Sequence, residues 1–291
     1  MRPVSDVRRF AGRRLPARLS KRPSPRQFLG AAVFGVFVLP GIAVILLAAV
    51  GPWIAPHPAG ASVAVPFMPP GEGHVFGTDR LGRDLWSQTL HGGRALLVVP
   101  LVATAATVVA GAALGITLGY LRGRADTLAL AAVDVFLVMP GIVLVLVLAN
   151  WWGGGPGVVV LAMVLSGTPV LARISRAATL EVIGAPFVQV SITQGDSTLT
   201  IFRREVLPNI AGPVLAGSGL MFVGALYLSA ALSLLGFRPQ PPETNWALMI
   251  IDNIEGAGLN VWAIALPAVM IAMLSVSGNL ILQALANRVA R

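Results

Sequence analysis

Long uninterrupted apolar runs dominate the sequence. A helix crosses the hydrocarbon core of a bilayer, about 30 Å thick, with about 20 apolar residues. Four runs of that length hold no charged residue, at 28–50, 95–119, 210–235 and 259–282. A fifth run, 128–149, contains one acid, Asp134, and a sixth, 158–172, is shorter. The pattern predicts an all-α membrane protein with six transmembrane helices.

The remaining polar stretches divide the chain. A basic arm, 1–27, precedes the first transmembrane helix, 28–50, and an extracytoplasmic segment follows at 51–94. The other five helices form a core, 95–285, which includes a loop at 173–209 and another at 236–258. Residues 286–291 are a short tail. The core is expected to be one bundle, since no internal repeat or second soluble domain is evident.

The charges predict the orientation. If the arm is cytoplasmic and the spans alternate, 17 of the 21 basic residues lie on the cytoplasmic side, and Arg80, Arg83, Arg94 and Arg238 lie outside. Such a bias is typical of membrane proteins and predicts that both termini are cytoplasmic. It also accounts for the net charge of +9 without nucleic acid as a partner. Instead, the arm is expected to be flexible or to lie on anionic lipid.

Composition and motifs argue against an enzyme. Only 11% of residues are charged, against about 25% in soluble domains. The single lysine, Lys21, does not lie in a phosphate-binding G-x-x-x-x-G-K-[ST] loop, so another chain must hydrolyse any ATP. Cysteine is absent, and His57, His74 and His91 lack the H-E-x-x-H spacing of zinc hydrolases. The histidines are expected at solvated loop positions, with no metal or cofactor.

Two features inside the apolar runs carry structural hypotheses. Gly111, Gly115 and Gly119 recur every four residues, which places them on one helix face and favours close helix packing. Asp134, upstream of Pro140, is the one ionisable residue well inside a predicted span. Intramembrane acids are costly and often functional. Structural pairing, for example with a partner subunit's helix, is favoured over a role in proton coupling, and prolines such as Pro140 predict kinks.

The extracytoplasmic segment contains a dense motif. It includes Gly77, Thr78, Asp79, Gly82, Arg83 and Asp84, followed by Arg94. The glycines permit tight turns, and Asp79, Arg83 and Asp84 can pair or cap a helix start at Asp84. The motif resembles the G-T-D-x-x-G-R-D signature of inner-membrane permeases of dipeptide, oligopeptide and nickel ABC importers. We interpret it as a structural elbow on the membrane rather than a substrate contact.

The 173–209 loop resembles the ATPase-coupling loop of the same family, whose pattern is E-A-A, three residues, Gly, nine residues, Ile-x-Leu-Pro. Gly195 lies 13 residues before Pro208, as that pattern requires, and Leu207 also matches. Gln189, Val190 and Ser191 replace E-A-A, Glu205 replaces the isoleucine, and Asp196 follows the glycine. Near the C-terminus, Gly278, Asn279 and Leu280 replace Gly-Asp-Gly. The resemblance implies a short helix that docks on an ATPase, with Gly195 permitting a turn.

The resemblance covers residues from about 28 to 285 and implies a type I ABC importer permease in the bacterial cytoplasmic membrane. Its implied partners are a second homologous permease, two ATP-binding subunits or one fused ATPase chain, and an extracytoplasmic substrate-binding protein. ATP and Mg²⁺ would bind to the partner subunits. Peptides are the favoured cargo, and nickel or metal chelates and, more distantly, haem are alternatives. A different class is an ion-coupled secondary transporter that uses Asp134.

Overall fold

The computed structural model describes residues 25–71, 73–121, 124–153, 155–235 and 243–290. The predicted basic arm up to residue 24, residues 122–123, and residues 236–242 of the predicted outer loop lie outside these ranges. The chain divides into two units, 1–36 and 37–291. In the first unit, residues 25–36 begin helix α1. The contacts described below belong to the second unit.

The described chain is almost entirely helical. Helices α1 to α10 are Pro25–Ile54, Leu85–Leu121, Arg124–Val138, Gly141–Trp152, Pro156–Ile183, Pro186–Thr193, Thr198–Ile201, Leu207–Leu234, Trp246–Asn253 and Trp262–Val289. A π-helical turn, Phe202–Val206, joins α7 to α8, and a 3₁₀ turn, Ile254–Gly256, follows α9.

Four of the six predicted membrane helices are matched by long apolar helices among the described residues, and a fifth is matched by a bent pair. Helices α2, α5 and α10, and the continuous helix Thr198–Ser233, are long and apolar enough to cross a bilayer. The bent pair α3 and α4 could form a fifth span. In α1, the apolar stretch Val38–Ile54 is shorter than these four helices. The structure confirms an all-α membrane architecture, while six crossings and the orientation of the termini stay predictions.

The predicted third helix, 128–149, is broken rather than continuous. Its two parts meet at an angle of 92°. Pro140 has an extended conformation, with φ −56° and ψ 128°. Its ring disfavours helical geometry at the preceding Met139, and it lacks an N–H. The Pro140 carbonyl accepts hydrogen bonds from Val143 and Leu144 and starts α4. The predicted kink is therefore a full break.

The predicted loop 173–209 is largely helical. Helix α5 continues to Ile183, and a new helical run begins at Thr198. Hydropathy marked only the apolar part of each helix, whereas the backbone hydrogen bonds continue through Arg173 and Arg176. Only residues 184–197, with α6 among them, connect the two long helices.

Helix α2 packs along α5 through its glycines. A Cβ added to Gly111 would lie 2.7 Å from the Leu171 side chain, and one added to Gly115 would lie 2.4 Å from the Ala172 carbonyl. A Cβ on Gly119 would meet Thr179 at 2.9 Å. The absence of side chains at these positions lets the helices approach closely, as small residues do in membranes.

The buried side chains form three clusters. One joins the end of α1 to α2, α8, α9 and α10, and includes Ala48, Trp246 and Leu274. A second joins α2, α4, α5 and α8. The third surrounds Val188 where α5, α6, α7 and α8 meet. The first supports the segment between α1 and α2, and the third supports the connection between α5 and α8.

Candidate functional site

The elbow segment, residues 55–84 between α1 and α2, is organised by Asp79. Its carboxylate accepts hydrogen bonds from the backbone N–H groups of Leu81 and Arg83, at 2.8 and 2.9 Å. The Arg83 Nε donates to its other oxygen at 2.6 Å. Asp79 is 1% exposed, so its charge is compensated within its own turn. The predicted pairing of Asp79 with Arg83 is confirmed.

Two glycines in this segment have left-handed backbone conformations. Gly77 has φ +78° and Gly82 has φ +71°. A Cβ at Gly77 would lie 2.1 Å from the Met68 carbonyl, and one at Gly82 would lie 2.0 Å from the Ala64 carbonyl. Both positions therefore need glycine for conformation and for space. Between them, Thr78 is fully buried and donates its hydroxyl to the Val65 carbonyl.

Asp84 caps α2. Its Oδ2 accepts from the Ser87 N–H at 2.8 Å and from the Ser87 hydroxyl at 2.7 Å. An aspartate at this position satisfies an N–H that the first turn leaves free, so the predicted cap is confirmed. Further along α2, the Arg94 guanidinium lies 5.4 Å from the centre of the Trp53 ring, a cation–π contact.

Sequence reasoning did not find the residues that hold the elbow segment to the bundle. The Asn260 side-chain amide lies within 3.3 Å of the carbonyls of Met68, Phe76 and Thr78. Asn253 accepts a hydrogen bond from the Arg80 N–H at 2.9 Å. These partners are more than 170 positions apart along the chain, and no local pattern links them.

The expectation of solvated loop positions holds only in part, since His57 and His74 lie outside the helices but are not fully solvated. His57, His74 and His91 are all partly buried, and His91 lies within α2. The His74 Nδ1 is 3.1 Å from the Asp84 Oδ1, and the His91 Nε2 is 3.1 Å from the His57 carbonyl. The chain folds back so that the elbow segment lies against the start of α2, and this contact shields the imidazoles.

Asp134 has a partner in its own chain, whereas the sequence suggested pairing with a partner subunit. The Arg173 guanidinium lies 2.6 Å from its carboxylate. The contact is an ion pair without hydrogen-bond alignment, and the Asp134 side chain is 37% exposed. Arg173 was assigned to a cytoplasmic loop, but α5 extends far enough to bring it alongside α3.

A cavity of about 560 Å³ lies beside the break at Pro140. It is bounded by α2, α5 and α8 and by the ends of α3 and α4. Its lining is apolar apart from a few hydroxyl groups, including Thr104 and Ser166. Thr104 is 6% exposed, and its hydroxyl has no hydrogen-bond partner among the described residues. The cavity therefore offers an unused polar group on an apolar surface.

The coupling segment, residues 184–206, carries α6 on the end of the bundle. Val188 on its inner face is fully buried in the third cluster. Gln189 donates to the Ile183 carbonyl at 2.8 Å and ties α6 to the end of α5. On the other side, Phe187 and Val190 are 45% and 52% exposed. One face of this short helix is thus anchored, and the other presents apolar surface.

The end of α6 is a Schellman motif. Gly195 has φ +82°, its N–H donates to the Ile192 carbonyl, and the Asp196 N–H donates to the Ser191 carbonyl. This is the pattern of a glycine that ends a helix in the left-handed conformation. The predicted turn at Gly195 is confirmed. Directly after it, the Ser197 hydroxyl accepts from the Thr200 N–H and caps α7.

The other coupling residues lie in the π-helical turn and at the start of α8. The Glu205 carbonyl accepts a hydrogen bond from Asn209. Leu207 is 49% exposed, and Pro208, which has no N–H to donate, follows the π-helical turn within the continuous helix Thr198–Ser233. At the end of α2, the Tyr120 ring meets Phe202 edge-on at 5.0 Å. This contact fixes the coupling segment against α2.

The sequence and the fold were compared with known proteins. The profile of the family described as "binding-protein-dependent transport system inner membrane component" matches residues 111–291. The dipeptide transport system permease protein DppC of Bacillus subtilis strain 168 is 30% identical over 252 residues, covering 86% of this chain and 78% of that protein. The chain belongs to this family.

Further similarities agree with that membership. The di/tripeptide transport system permease protein DppC of Pseudomonas aeruginosa strain UCBPP-PA14 is 31% identical, covering 81% of this permease and 80% of its own length. A chain of the MetNI methionine ABC transporter, solved in an inward-facing conformation, has a TM-score of 0.60. At 17% identity, covering 70% of this permease and 97% of that chain, it shows a shared fold.

Family membership places the protein in the bacterial inner membrane as a multi-pass component of an ABC transporter. Permease subunits of this kind are non-catalytic.

Proposed function

We propose that this permease forms half of the translocation path of an ATP-driven importer of di- and oligopeptides. A second, homologous permease would form the other half, and an extracytoplasmic binding protein would deliver the peptide. Peptide cargo is favoured over nickel, metal chelates or haem because the relatives described above are named for dipeptides and di/tripeptides.

The coupling segment is the observation that carries this proposal. Helix α6 is held on one side by the buried Val188 and displays Phe187 and Val190 on the other. A small apolar helix with a fixed end suits insertion into a groove of another protein. We assign this face to an ATPase subunit that binds ATP and Mg²⁺. The altered residues Gln189 and Ser191 change the composition of the segment, while its anchoring and its turn remain.

The cavity beside Pro140 supplies the second element of the proposal. Its lining residues come from α2, α5, α8 and the broken pair α3 and α4, and none of them is charged. We assign it to the translocation path, where the free hydroxyl of Thr104 can bind a passing polar group such as a peptide amide. An apolar wall with few hydrogen-bonding groups lets cargo bind weakly and leave again.

An ion-coupled secondary transporter using Asp134 is not supported. Its carboxylate is paired with Arg173, so its charge has a compensating partner within the chain. The alternative is tested together with the main proposal, because transport by this chain alone along a proton gradient would favour it.

Uptake by the reconstituted transporter tests the function. Labelled dipeptide should enter vesicles only when this permease, its sister permease, the ATPase and the binding protein are all present with ATP. Uptake by this chain alone, or uptake that does not depend on ATP, contradicts the proposal. Uptake of a nickel chelate but not of dipeptide would favour nickel or metal chelates as the cargo instead of peptides.

Because the chain has no cysteine, labelling of single introduced cysteines can report its membrane topology and the residues that line the pathway. Every introduced cysteine is unique in this chain. Thr104→Cys should react with a small thiol reagent and be protected by peptide, whereas Leu101→Cys, on an exposed face of α2 outside the cavity lining, should show no peptide protection. Cysteines in the arm and the tail should be labelled only from the cytoplasmic side if both termini are there.

A further inference from the structure

Two imidazoles and a carboxylate converge at the junction of the elbow segment with α2. One ligand atom from each of His57, His74 and Asp84 can be chosen so that all three lie within 4.8 Å of one another. The rings of His57 and His74 have centroids 6.0 Å apart. We propose that these three residues bind Zn²⁺ and that the ion clips the elbow segment to the start of α2.

The donor set suits zinc. Zinc binds imidazole nitrogen at about 2.0–2.1 Å and carboxylate oxygen at about 2.0–2.2 Å, commonly with three protein ligands and one water. Tetrahedral bonds of that length place two ligand atoms about 3.4 Å apart. The His74 Nδ1 and the Asp84 Oδ1 are already separated by 3.1 Å. Because the three ligand atoms lie within 4.8 Å of one another, a spacing of about 3.4 Å requires an inward movement at His57 of at most about 1.4 Å.

The ligands are held by a supporting set of hydrogen bonds. The second oxygen of Asp84 remains on the N–H and hydroxyl of Ser87, which leaves Oδ1 for the metal. The backbone N–H of His57 donates a hydrogen bond to the same Ser87 hydroxyl at 3.2 Å. The His91 side chain holds the His57 carbonyl. Partners of this kind orient ligands and raise metal affinity.

His74 and Asp84 are largely shielded from solvent. The His74 side chain is 13% exposed and that of Asp84 is 5% exposed. The ligands also come from three separate places, namely the chain after α1, the middle of the elbow segment and the residue that caps α2. An ion bound there would cross-link all three positions.

Zinc titration of the full chain, purified in detergent through a tag without histidine, tests the site. With three histidines and no cysteine in the sequence, few other groups compete. We expect one Zn²⁺ per chain, and at least about a tenfold loss of affinity in His57→Ala and in His74→Ala. Glu255→Gln is the control, because it removes an exposed carboxylate that lies outside the cluster. It should bind zinc with the wild-type affinity.

A second measurement separates lost ligands from lost folding. Co²⁺ should give the visible spectrum of a four-coordinate nitrogen and oxygen site in the wild type and in Glu255→Gln, but not in the His57→Ala/His74→Ala double variant. Zinc should also raise the melting temperature of the wild type and leave that of the double variant unchanged. No stoichiometric zinc, equal binding by the double variant, or loss of binding in Glu255→Gln would overturn the proposal.

Discussion

Replacing Gly195 with alanine isolates the backbone geometry that ends α6. Gly195 has φ +82°, and no atom lies within 4 Å of the place its Cβ would occupy. The substitution therefore adds backbone strain without a steric clash. The left-handed conformation costs an L-residue about 1–2 kcal/mol. Alanine also stiffens the unfolded chain, which offsets about 0.4–1 kcal/mol, so we expect a net cost of about 1 kcal/mol.

That cost should appear in ATPase binding if the docked state requires the Schellman turn. A cost of about 1 kcal/mol corresponds to a factor of about five in a population, so the affinity of the ATPase for Gly195→Ala should fall by up to about fivefold. The assay is binding of the purified ATPase subunit to the permease pair in detergent, measured by titration.

Two further variants make the result specific. Gly184→Ala is a matched control, because Gly184 has φ −74° and its added Cβ would lie at ordinary contact distances of 3.5 and 3.6 Å. It should bind the ATPase as the wild type does. Gly195→Asn should recover most of the affinity, because asparagine tolerates the left-handed region. If alanine and asparagine at 195 bind equally well, or if Gly184→Ala is the weaker variant, the reasoning is refuted.

Four other substitutions test the packing of the bundle. Gly115→Ala places a Cβ 2.4 Å from a backbone carbonyl of α5 and should destabilise the fold by about 1–3 kcal/mol. An unchanged melting temperature, with Gly157→Ala as the open-space control, would contradict this. Asp134→Asn and Arg173→Gln should each be less stable than the double variant, because each leaves the remaining charge of the ion pair without its partner. A double-mutant cycle with no coupling would show that the ion pair is inert. Asn260→Ala removes three contacts from a side chain that is 2% exposed and should cost about 1–3 kcal/mol. Chemical denaturation in detergent measures it, and a loss below about 0.5 kcal/mol contradicts it.

Local rules predicted those parts of the structure that depend on near neighbours. The cap at Asp84, the pairing of Asp79 with Arg83 and the turn at Gly195 all follow from hydrogen bonds within a few residues. Helices α2, α5, α8 and α10 follow from their apolar length. The hydropathy pattern predicted ends for these helices that come too early, however. Polar residues such as Arg173 belong to the helix although they lie beyond its apolar run.

The features that were missed depend on contacts between distant parts of the chain. The partner of Asp134 is set by how α3 packs on α5, and the shielding of His57 is set by the fold-back of the elbow segment. The contact of Asn260 with Met68 spans 192 positions. Neither periodicity nor spacing within one segment encodes such pairings, and the composition gives no signal for them.

The architecture also indicates how docking at one end could act at the other. Helix α2 runs without a break for 37 residues, about 55 Å at 1.5 Å per residue, from the cap at Asp84 to the contact of Tyr120 with Phe202. Its glycines hold it tightly against α5, which leads directly into α6. Rigid helices in contact can carry coupling between sites. If α6 docks on an ATPase as proposed above, a movement of α6 would therefore shift α2 and α5 together.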